Sequence, residues 1–137
     1  FIASDADNII PQEAQKDFRV MFSNETLNYL ENFGSAYTFV DENNEIVSIC
    51  GVLPVKDVGI TWAVHADSFK THAREITRAV INLLDNVEKE GLYKTIKGSV
   101  IDGFEGGHKW MKILGFERGE LHELGYHEYE RKLSWEQ

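Results

Sequence analysis

A long stretch with helical periodicity lies between two extended stretches, and this arrangement limits the chain to few folds. Apolar residues recur at helical spacing over residues 71–90 and form a single face. The residues of this face are Ala73, Ile76, Ala79, Val80, Leu83, Leu84 and Val87. Extended runs precede and follow it at residues 58–64 and 92–100. This order predicts a crossover connection between two parallel strands.

The residues before this crossover predict an antiparallel meander. One extended run surrounds Tyr37 and Phe39, a second covers residues 46–53, and the run at residues 58–64 is the third. Short turns join them, and the turn over residues 41–44 consists of Asp, Glu and Asn, which suit a hairpin. Three such strands in sequence pair most simply with their neighbours along the chain.

Two helices are predicted ahead of the meander. Pro11 suits the first turn of a helix. The apolar residues that this helix turns inward are Ala14, Phe18, Met21 and Phe22. A second helix has Ser23 or Asn24 as its N-cap, and Gly34 ends it. Its inward residues are Leu27, Leu30 and Phe33. Residues 1–9 are polar and are expected to be irregular.

The last third of the chain adds a short helix and two strands. Gly103, Gly106 and Gly107 predict a turn, and a helix over residues 108–114 follows it and ends at Gly115. The last two strands begin at Phe116 and cover residues 126–133. Together these elements predict an α/β (α+β) fold with a mixed, mostly antiparallel sheet flanked by helices, in one domain over residues 1–137.

Charge and composition exclude several classes of partner. The chain carries 14 Lys and Arg against 23 Asp and Glu, a formal net charge of −9. A field of that sign repels nucleic acid and anionic membrane surfaces, so neither is expected as a partner. The single cysteine, Cys50, excludes an internal disulfide and suits the reducing cytoplasm. No apolar stretch approaches the roughly 18 residues of a transmembrane helix.

The order of the elements and two sequence runs resemble the GCN5-related N-acetyltransferase (GNAT) family. The run WMKILGFERGE, Trp110–Glu120, is similar to the family's last helix and the strand after it, and residues 114–116 carry the match. The run EGLYKTIKGSV, Glu90–Val100, is similar to the family's fifth strand. The resemblance covers residues 35–133 and is closest to small phage-encoded members, such as the gene-13-type internal virion protein of T7-like phages. It implies an acyl-CoA N-acyltransferase-like fold.

The resemblance also implies a reaction, the transfer of acetyl from acetyl-CoA to an amine. A base removes a proton from the amine, the amine attacks the thioester, and an acid protonates the CoA thiolate. A backbone N–H on the family's fourth strand, here at Val64 or its neighbour, binds the thioester carbonyl. The candidate catalytic residues are His65, Tyr93 and His108. The candidate acetyl-CoA-binding residues are Trp62, Ala63, Val64, Thr71, His72, Ala73 and Arg74.

Two departures from the family's pattern concern activity. The family's glycine-containing cofactor loop falls on residues 72–77, which contain no glycine, and Glu75 brings a carboxylate towards the phosphates. We therefore expect a rearranged loop over residues 66–71. Its replacement contacts would come from Ser68, Lys70, Thr71, His72 or Arg74. The tyrosine that protonates the thiolate in many members falls on Met111, which cannot donate a proton.

Several candidates also have a plainer interpretation. His65 at a strand end and His72 in a first helical turn both suit ordinary surface histidines. Trp62 suits a core position as well as a substrate pocket. Cys50 suits a buried strand position better than a nucleophile, because no Cys-His pattern accompanies it.

A metal site and a phosphate loop are not expected. The residues considered for a metal site are His122, Glu123 and His127, and their spacing matches no standard zinc pattern. The glycines of residues 103–107 are not followed by Lys and Ser or Thr, so they do not form a P-loop.

The sequence leaves two functions open. The first is an acyl-CoA-dependent N-acyltransferase with a degenerate cofactor loop, acting on an amine of a small molecule or a protein. The second is a catalytically inactive GNAT-fold phage protein that acts in virion assembly or binds a host protein. Either would reside in the cytoplasm, and a phage protein in the host cytoplasm or the virion. Pairing of the C-terminal strand across a homodimer is a further option.

Overall fold

The computed structural model describes residues 1–16, 18, 22–33 and 35–132. The described helices are α1 (Asp5–Asn8), α2 (Asn24–Phe33), α3 (Phe69–Glu90) and α4 (Glu105–Ile113), with a 3₁₀ turn at Glu13–Gln15. The described strands are β1 (Ser35–Val40), β2 (Ile46–Val55), β3 (Val58–His65), β4 (Thr95–Ile101), β5 (Glu117–Leu121) and β6 (Tyr126–Lys132).

The strands form one six-stranded sheet in the order β1-β2-β3-β4-β6-β5. β1 pairs antiparallel with β2, and β6 pairs antiparallel with both β4 and β5. β3 and β4 are parallel, with α3 as the connection between them. The predicted crossover and the predicted fold class, a mixed and mostly antiparallel sheet flanked by helices, are therefore confirmed.

Helix α3 forms where its periodicity predicted it, and it begins two residues earlier, at Phe69. Its apolar face is buried at Ile76, Val80 and Leu84, and burial of each such side chain contributes roughly 1.5–3 kcal/mol. Gly91 adopts φ +67°, the left-handed conformation that commonly ends a helix and that glycine adopts without steric cost. The described helices include none that is both long enough and apolar enough to cross a membrane.

The chain divides into two compact units. The first comprises Phe1–Leu53 and Trp62–Ile76, and the second comprises Pro54–Thr61 and Thr77–Gln137. The core of the first unit contains Ala6, Ile9, Leu27, Ile49, Val64 and Ala66. Buried residues of the second unit include Ile96, Met111, Leu114, Phe116 and Tyr129.

The predicted turn and cap residues of the first unit have the expected contacts. The Asp41 carboxylate accepts hydrogen bonds from the backbone N–H groups of Asn43 and Glu45, at 2.8 and 3.0 Å, and closes the turn between β1 and β2. The Thr26 N–H donates to Ser23 Oγ at 3.2 Å, which confirms Ser23 as the cap of α2. The inward residue Leu30 is fully buried.

The N-terminal segment differs from its prediction. Pro11 was predicted to begin a helix, but it forms an extended antiparallel bridge with Ala66. A short 3₁₀ turn at Glu13–Gln15 follows it, and among the described residues after that turn Phe18 is helical and accepts a backbone hydrogen bond from the Phe22 N–H at 3.2 Å. Asp5–Asn8, inside the stretch expected to be irregular, form one helical turn. The side chains predicted to face inward at Ala14, Met21 and Phe33, and the predictions for Gly34 and Leu133, fall outside what the structure describes.

Helix α4 begins at Glu105, three residues earlier than predicted, and so includes Gly106 and Gly107. A Cβ at Gly107 would lie 2.8 Å from the Phe104 ring and 2.9 Å from the Val100 side chain. The glycine therefore permits close packing of the helix start rather than a wide turn. The turn itself is at Gly103, where φ is +91°.

Candidate functional site

The candidate site is the C-terminal half of β3 and the turn into α3. The register of β3 with β4 covers Val58–Ile60 only, while β3 continues to His65. The Ala66 N–H donates to Val47 C=O of β2 at 2.9 Å. Backbone polar groups of successive strand residues point to opposite sides. Ala63 and His65 therefore present their N–H and C=O groups on the side away from β2.

Residues 11–15, the N-terminal strap, occupy this side of the strand. The Gln15 carboxamide donates to Ala63 C=O at 2.7 Å and accepts from the His65 N–H at 2.8 Å. The Gln12 N–H donates to His65 C=O at 2.8 Å. A side-chain amide carries the same donor and acceptor as a peptide group, so Gln15 takes the place of a neighbouring strand.

The resemblance places a backbone donor at Val64 or its neighbour, and Val64 and His65 direct their N–H groups to opposite sides of the strand. Val64 has the strand orientation of Ala66, towards β2, and its side chain is 1% exposed in the core. The His65 N–H points the other way and is bonded to Gln15. Backbone alternation therefore makes His65 the neighbour whose N–H faces away from β2.

The stretch aligned with the family's cofactor loop, residues 72–77, lies inside α3 and is not a loop. The turn consists of residues 66–68 only. The backbone N–H groups of Phe69, Lys70 and Thr71 each donate to the carbonyl three residues earlier, at 3.0, 3.3 and 3.1 Å. These donors close the first helical turn, whereas a glycine loop would direct them to a phosphate.

The remaining residues proposed to bind the cofactor take different positions on α3. Thr71 and Arg74 are exposed, whereas His72 and Ala73 are half-buried. Lys70, one turn before Arg74, is also exposed, and residues four apart lie on one side of a helix. The first turn of α3 contains no acidic residue. The start of α3 therefore presents two cations to solvent, and the exposed carboxylates of Asp67 and Glu75 lie at neighbouring positions in the chain.

Trp62 belongs to an aromatic cluster. Its ring centroid lies 5.7 Å from that of Phe1, edge to face, and 5.3 Å from that of Phe22. Both rings pack against the apolar core of the first unit. The indole Nε1 is buried and has no hydrogen-bond partner among the described residues. These contacts favour the core interpretation of Trp62 over an open pocket wall.

The His65 side chain is buried, with 6% exposure. Its Nδ1 lies 2.8 Å from the Ser48 hydroxyl, and its ring stacks on Phe69 at a centroid distance of 3.8 Å. Burial lowers the pKa of the imidazole from 6.5 to about 4. A neutral, enclosed imidazole with so low a pKa is a weak general base at neutral pH.

His108 lies in the second unit, on α4, and is also buried. Its Nε2 is 3.1 Å from Ile101 C=O, and its Nδ1 is 2.6 Å from the Tyr129 hydroxyl. A carbonyl only accepts, so Nε2 carries the proton and Nδ1 accepts from Tyr129. Burial raises the pKa of Tyr129 and keeps its hydroxyl protonated. Both ring nitrogens are thus occupied by structural partners.

Tyr93 is buried in the second unit just before β4. The Lys94 N–H donates to Asp57 C=O at 2.7 Å, which puts this residue pair at the N-terminal ends of β3 and β4. The resemblance assigns the thioester to the C-terminal end of β3. The structure therefore places Tyr93 at the strand ends where the resemblance puts no chemistry.

Met111 packs against β4. A Cβ at Gly98 would lie 2.9 Å from Met111 Cε and 2.8 Å from Thr61 Cγ2, so the absence of a side chain at Gly98 makes room for both. Neighbouring Trp110 donates from Nε1 to Thr77 Oγ1 at 2.8 Å and ties α4 to α3. Both side chains are packing residues, as their helical spacing indicates.

The surroundings of Cys50, His122 and His127 suit structural roles for these side chains. Burial raises the pKa of Cys50 to about 12, so the thiol stays protonated and is a poor nucleophile. The His122 ring stacks on Tyr126, with centroids 4.5 Å apart. His127 Nε2 lies 2.8 Å from an Arg118 nitrogen. The two imidazoles thus have separate partners.

Three contacts were missed in the sequence: those of Gln15 and Ser48 at the site, and that of Tyr129 with the candidate His108 in the second unit. Gln15, Ser48 and Tyr129 each bond to a group on a distant segment, across 48, 17 and 21 residues respectively. Burial of Tyr129 follows from alternation along β6, which sequence patterning can show. Nothing in the local sequence of Gln15 or Ser48 signals their partners.

This chain resembles known proteins in fold far more than in sequence. No protein-family model and no curated protein sequence matches it. Among solved structures, a ribosomal-protein-S5-alanine acetyltransferase from Vibrio fischeri is 17% identical, with a TM-score of 0.68 over 98% of this chain and 91% of that one. A ribosomal-protein-S18-alanine N-acetyltransferase from Escherichia coli is 14% identical, with a TM-score of 0.60 over 82% and 78%.

A spermidine N-acetyltransferase chimera from Vibrio cholerae and hSSAT is 10% identical, with a TM-score of 0.72 over 97% of this chain and 90% of that one. At such low identities the similarity is one of fold. The chain therefore has the GNAT acetyltransferase fold.

Proposed function

We propose that this protein is an acyl-CoA-dependent N-acyltransferase that transfers an acetyl group to an amine. The observation that carries the proposal is the edge of β3. The strand extends past its pairing with β4, and over Ala63–His65 it presents backbone N–H and C=O groups away from β2. Such an edge suits the amide groups of an acyl-CoA arm, and the His65 N–H suits the thioester oxygen.

The start of α3 supplies the charge for the phosphates. The helix N-terminus carries partial positive charge, and exposed Lys70 and Arg74 add two cations. They stand in for the glycine loop, whose backbone contacts residues 72–77 do not offer because they are helical. The affinity for a pyrophosphate bound by exposed side chains falls more steeply with salt concentration than the affinity for one bound by a buried loop.

The reaction is direct attack of the amine nitrogen on the thioester carbon. The amine first gives one proton to solvent; its nitrogen then forms the C–N bond as the C–S bond breaks, and its second proton passes to the sulfur, so that CoA leaves as the thiol. The His65 N–H stabilises the oxyanion once it is free of Gln15. Because its pKa is about 4, the His65 imidazole does not transfer a proton at neutral pH. Its contribution is to hold the His65 backbone N–H in position.

The acceptor is proposed to be a cationic amine. The solved neighbours include enzymes named for a ribosomal-protein alanine and for spermidine, which are amine acceptors. A net charge of −9 attracts amines of opposite charge and raises their local concentration. Both a small polyamine and a protein amine fit this description.

A calorimetric titration with acetyl-CoA tests the proposal. We expect saturable binding, weakened about tenfold by the double substitution K70A/R74A, because two phosphate-binding cations each contribute roughly 1 kcal/mol or less at an exposed site. The matched control is Lys89→Ala, an exposed lysine in the last turn of the same helix. Absence of binding at millimolar acetyl-CoA in a folded sample, with or without the strap substitutions described below, would refute the enzyme.

The second candidate is a GNAT-fold phage protein without transferase activity, acting in virion assembly or on a host protein. Two observations favour it. The strap fills the β3 edge, and the resemblance puts Met111, which cannot donate a proton, at the position of the family's proton donor. In that case the strap is a permanent replacement for the ligand, and no substitution within it restores binding.

A further inference from the structure

The strap bonds to the same atoms that an acyl-CoA arm would use. The Ala63 C=O and the His65 N–H are paired with the Gln15 carboxamide, and the His65 C=O is paired with the Gln12 N–H. A further hydrogen bond, from Gln12 Nε2 to Gln15 Oε1 at 3.0 Å, lies within the strap and orients the Gln15 carboxamide. The arm of CoA carries amide groups with the same donors and acceptors, so the two cannot occupy the edge together.

The strap is attached lightly, while the chain on either side is anchored. Before it, Ala6 and Ile9 are buried in the core at 3% and 5% exposure. Within the strap, the Glu13 side chain is 86% exposed, and the other described side chains, Pro11, Gln12 and Gln15, are half-buried. After it, Leu27 of α2 is buried again. A segment with few buried apolar groups opens locally at a much lower free energy than the core.

We infer that the strap is a displaceable, built-in occupant of the acyl-CoA edge, with Gln15 as the residue that holds it closed. The inference rests on the proposed function. Acyl-CoA binding then requires the strap to leave Ala63 and His65. The apparent affinity is therefore the affinity of the open state multiplied by the fraction of molecules that are open. Release of the strap also frees the His65 N–H for the thioester oxygen.

Substitution of Gln15 tests the closed state. Gln15→Ala removes the hydrogen bonds to the Ala63 C=O and the His65 N–H, while the bond between the Gln12 N–H and the His65 C=O remains. Two ordinary hydrogen bonds correspond to about a tenfold gain in acetyl-CoA affinity, measured by calorimetry on the full chain. The matched control is Glu13→Gln, in the same segment, whose exposed side chain pairs only with Lys16 among its described contacts. It should bind like the wild type.

A reversible cross-link provides the opposite change. Pro11 has no N–H, so its bridge with Ala66 is of the non-hydrogen-bonded antiparallel type, in which Cα atoms lie about 4.5 Å apart. That spacing suits a disulfide. The variant P11C/A66C should fail to bind acetyl-CoA when oxidised and regain binding when reduced. The native Cys50 is buried and protonated and does not compete.

The outcomes separate the strap from the function. Tighter binding by Gln15→Ala together with loss of binding in the oxidised variant supports the inference. Equal binding by wild type, Gln15→Ala and the oxidised variant overturns the strap while leaving an acyl-CoA-binding protein. Binding by none of them, including the reduced variant and Gln15→Ala, overturns the proposed function and with it the strap's role.

Discussion

The two ends of β3 differ in what pairs with them. Val58–Ile60 pair with β4, strand to strand, in the interior of the sheet. Ala63–Ala66 pair with residues 11–15, largely through one side-chain amide. The first arrangement is part of the hydrogen-bond ladder of the sheet and opens only when the sheet unfolds. The second is made of local bonds that can exchange with a ligand without loss of the core.

The largest expected effect on stability is at the end of β3 that pairs with β4, Val58–Ile60. Ile96, which pairs with Gly59, is 0% exposed, so Ile96→Ala should lower the free energy of unfolding by about 2–5 kcal/mol through lost burial and a cavity. Chemical denaturation gives the value. Ile101→Ala, on the same strand but 58% exposed, is the control and should change stability by no more than about 0.5 kcal/mol. Similar values for both variants would contradict a packed ladder.

An intermediate effect on stability is expected at His65, at the end of β3 that pairs with the strap, and it depends on pH. The folded-state pKa of His65 is about 4, below its ordinary 6.5, so the unfolded chain binds this proton more readily. The contribution of His65 to stability is then complete above pH 6.5 and is lost as the pH falls towards 4. It amounts to roughly 3 kcal/mol.

Denaturation at a series of pH values, for wild type and His65→Gln, measures this contribution. The wild-type free energy should fall more steeply below pH 6.5 than that of the variant. An NMR titration of the His65 imidazole in the wild type gives the pKa directly, and a midpoint near 6.5 would show that the ring is not enclosed as described.

The smallest effect compares the two ends directly by amide hydrogen exchange. The His65 N–H is held by the Gln15 side chain, whereas the Ile96 N–H lies within the sheet. We expect the His65 amide to exchange through local opening, at a free energy about 1–2 kcal/mol below that of Ile96. Equal protection of the two amides would mean that the strap opens only when the sheet does.

Two candidate catalytic histidines illustrate where prediction from sequence stops. The sequence predicts His65 as a base because it lies at a strand end near the presumed cofactor site, and His108 as a substitute for the acid that Met111 cannot supply. The structure gives each a hydroxyl partner, Ser48 and Tyr129, and buries both rings. Partners 17 and 21 residues away in the chain cannot be read from local pattern, because side-chain pairing between segments depends on how the sheet brings them together.

The cofactor loop shows the same limit in backbone form. The resemblance places the family's cofactor loop on residues 72–77, inside the helix that periodicity predicts over residues 71–90. The helix begins at Phe69, since Phe69, Lys70 and Thr71 bond back to the turn at residues 66–68. Helix periodicity fixes the face of a helix well, but it does not fix the first turn, where hydrogen bonds to the preceding loop decide the boundary.

By itself the sequence determined the crossover of β3, α3 and β4, the meander before it and the acidic surface. These follow from local periodicity, turn residues and charge, which act over a few residues. Only the tertiary structure decided which group covers the free edge of β3. Gln15 and Ala63 are 48 residues apart, and a carboxamide takes a strand's place only once folding has put a vacant row of N–H and C=O groups beside it.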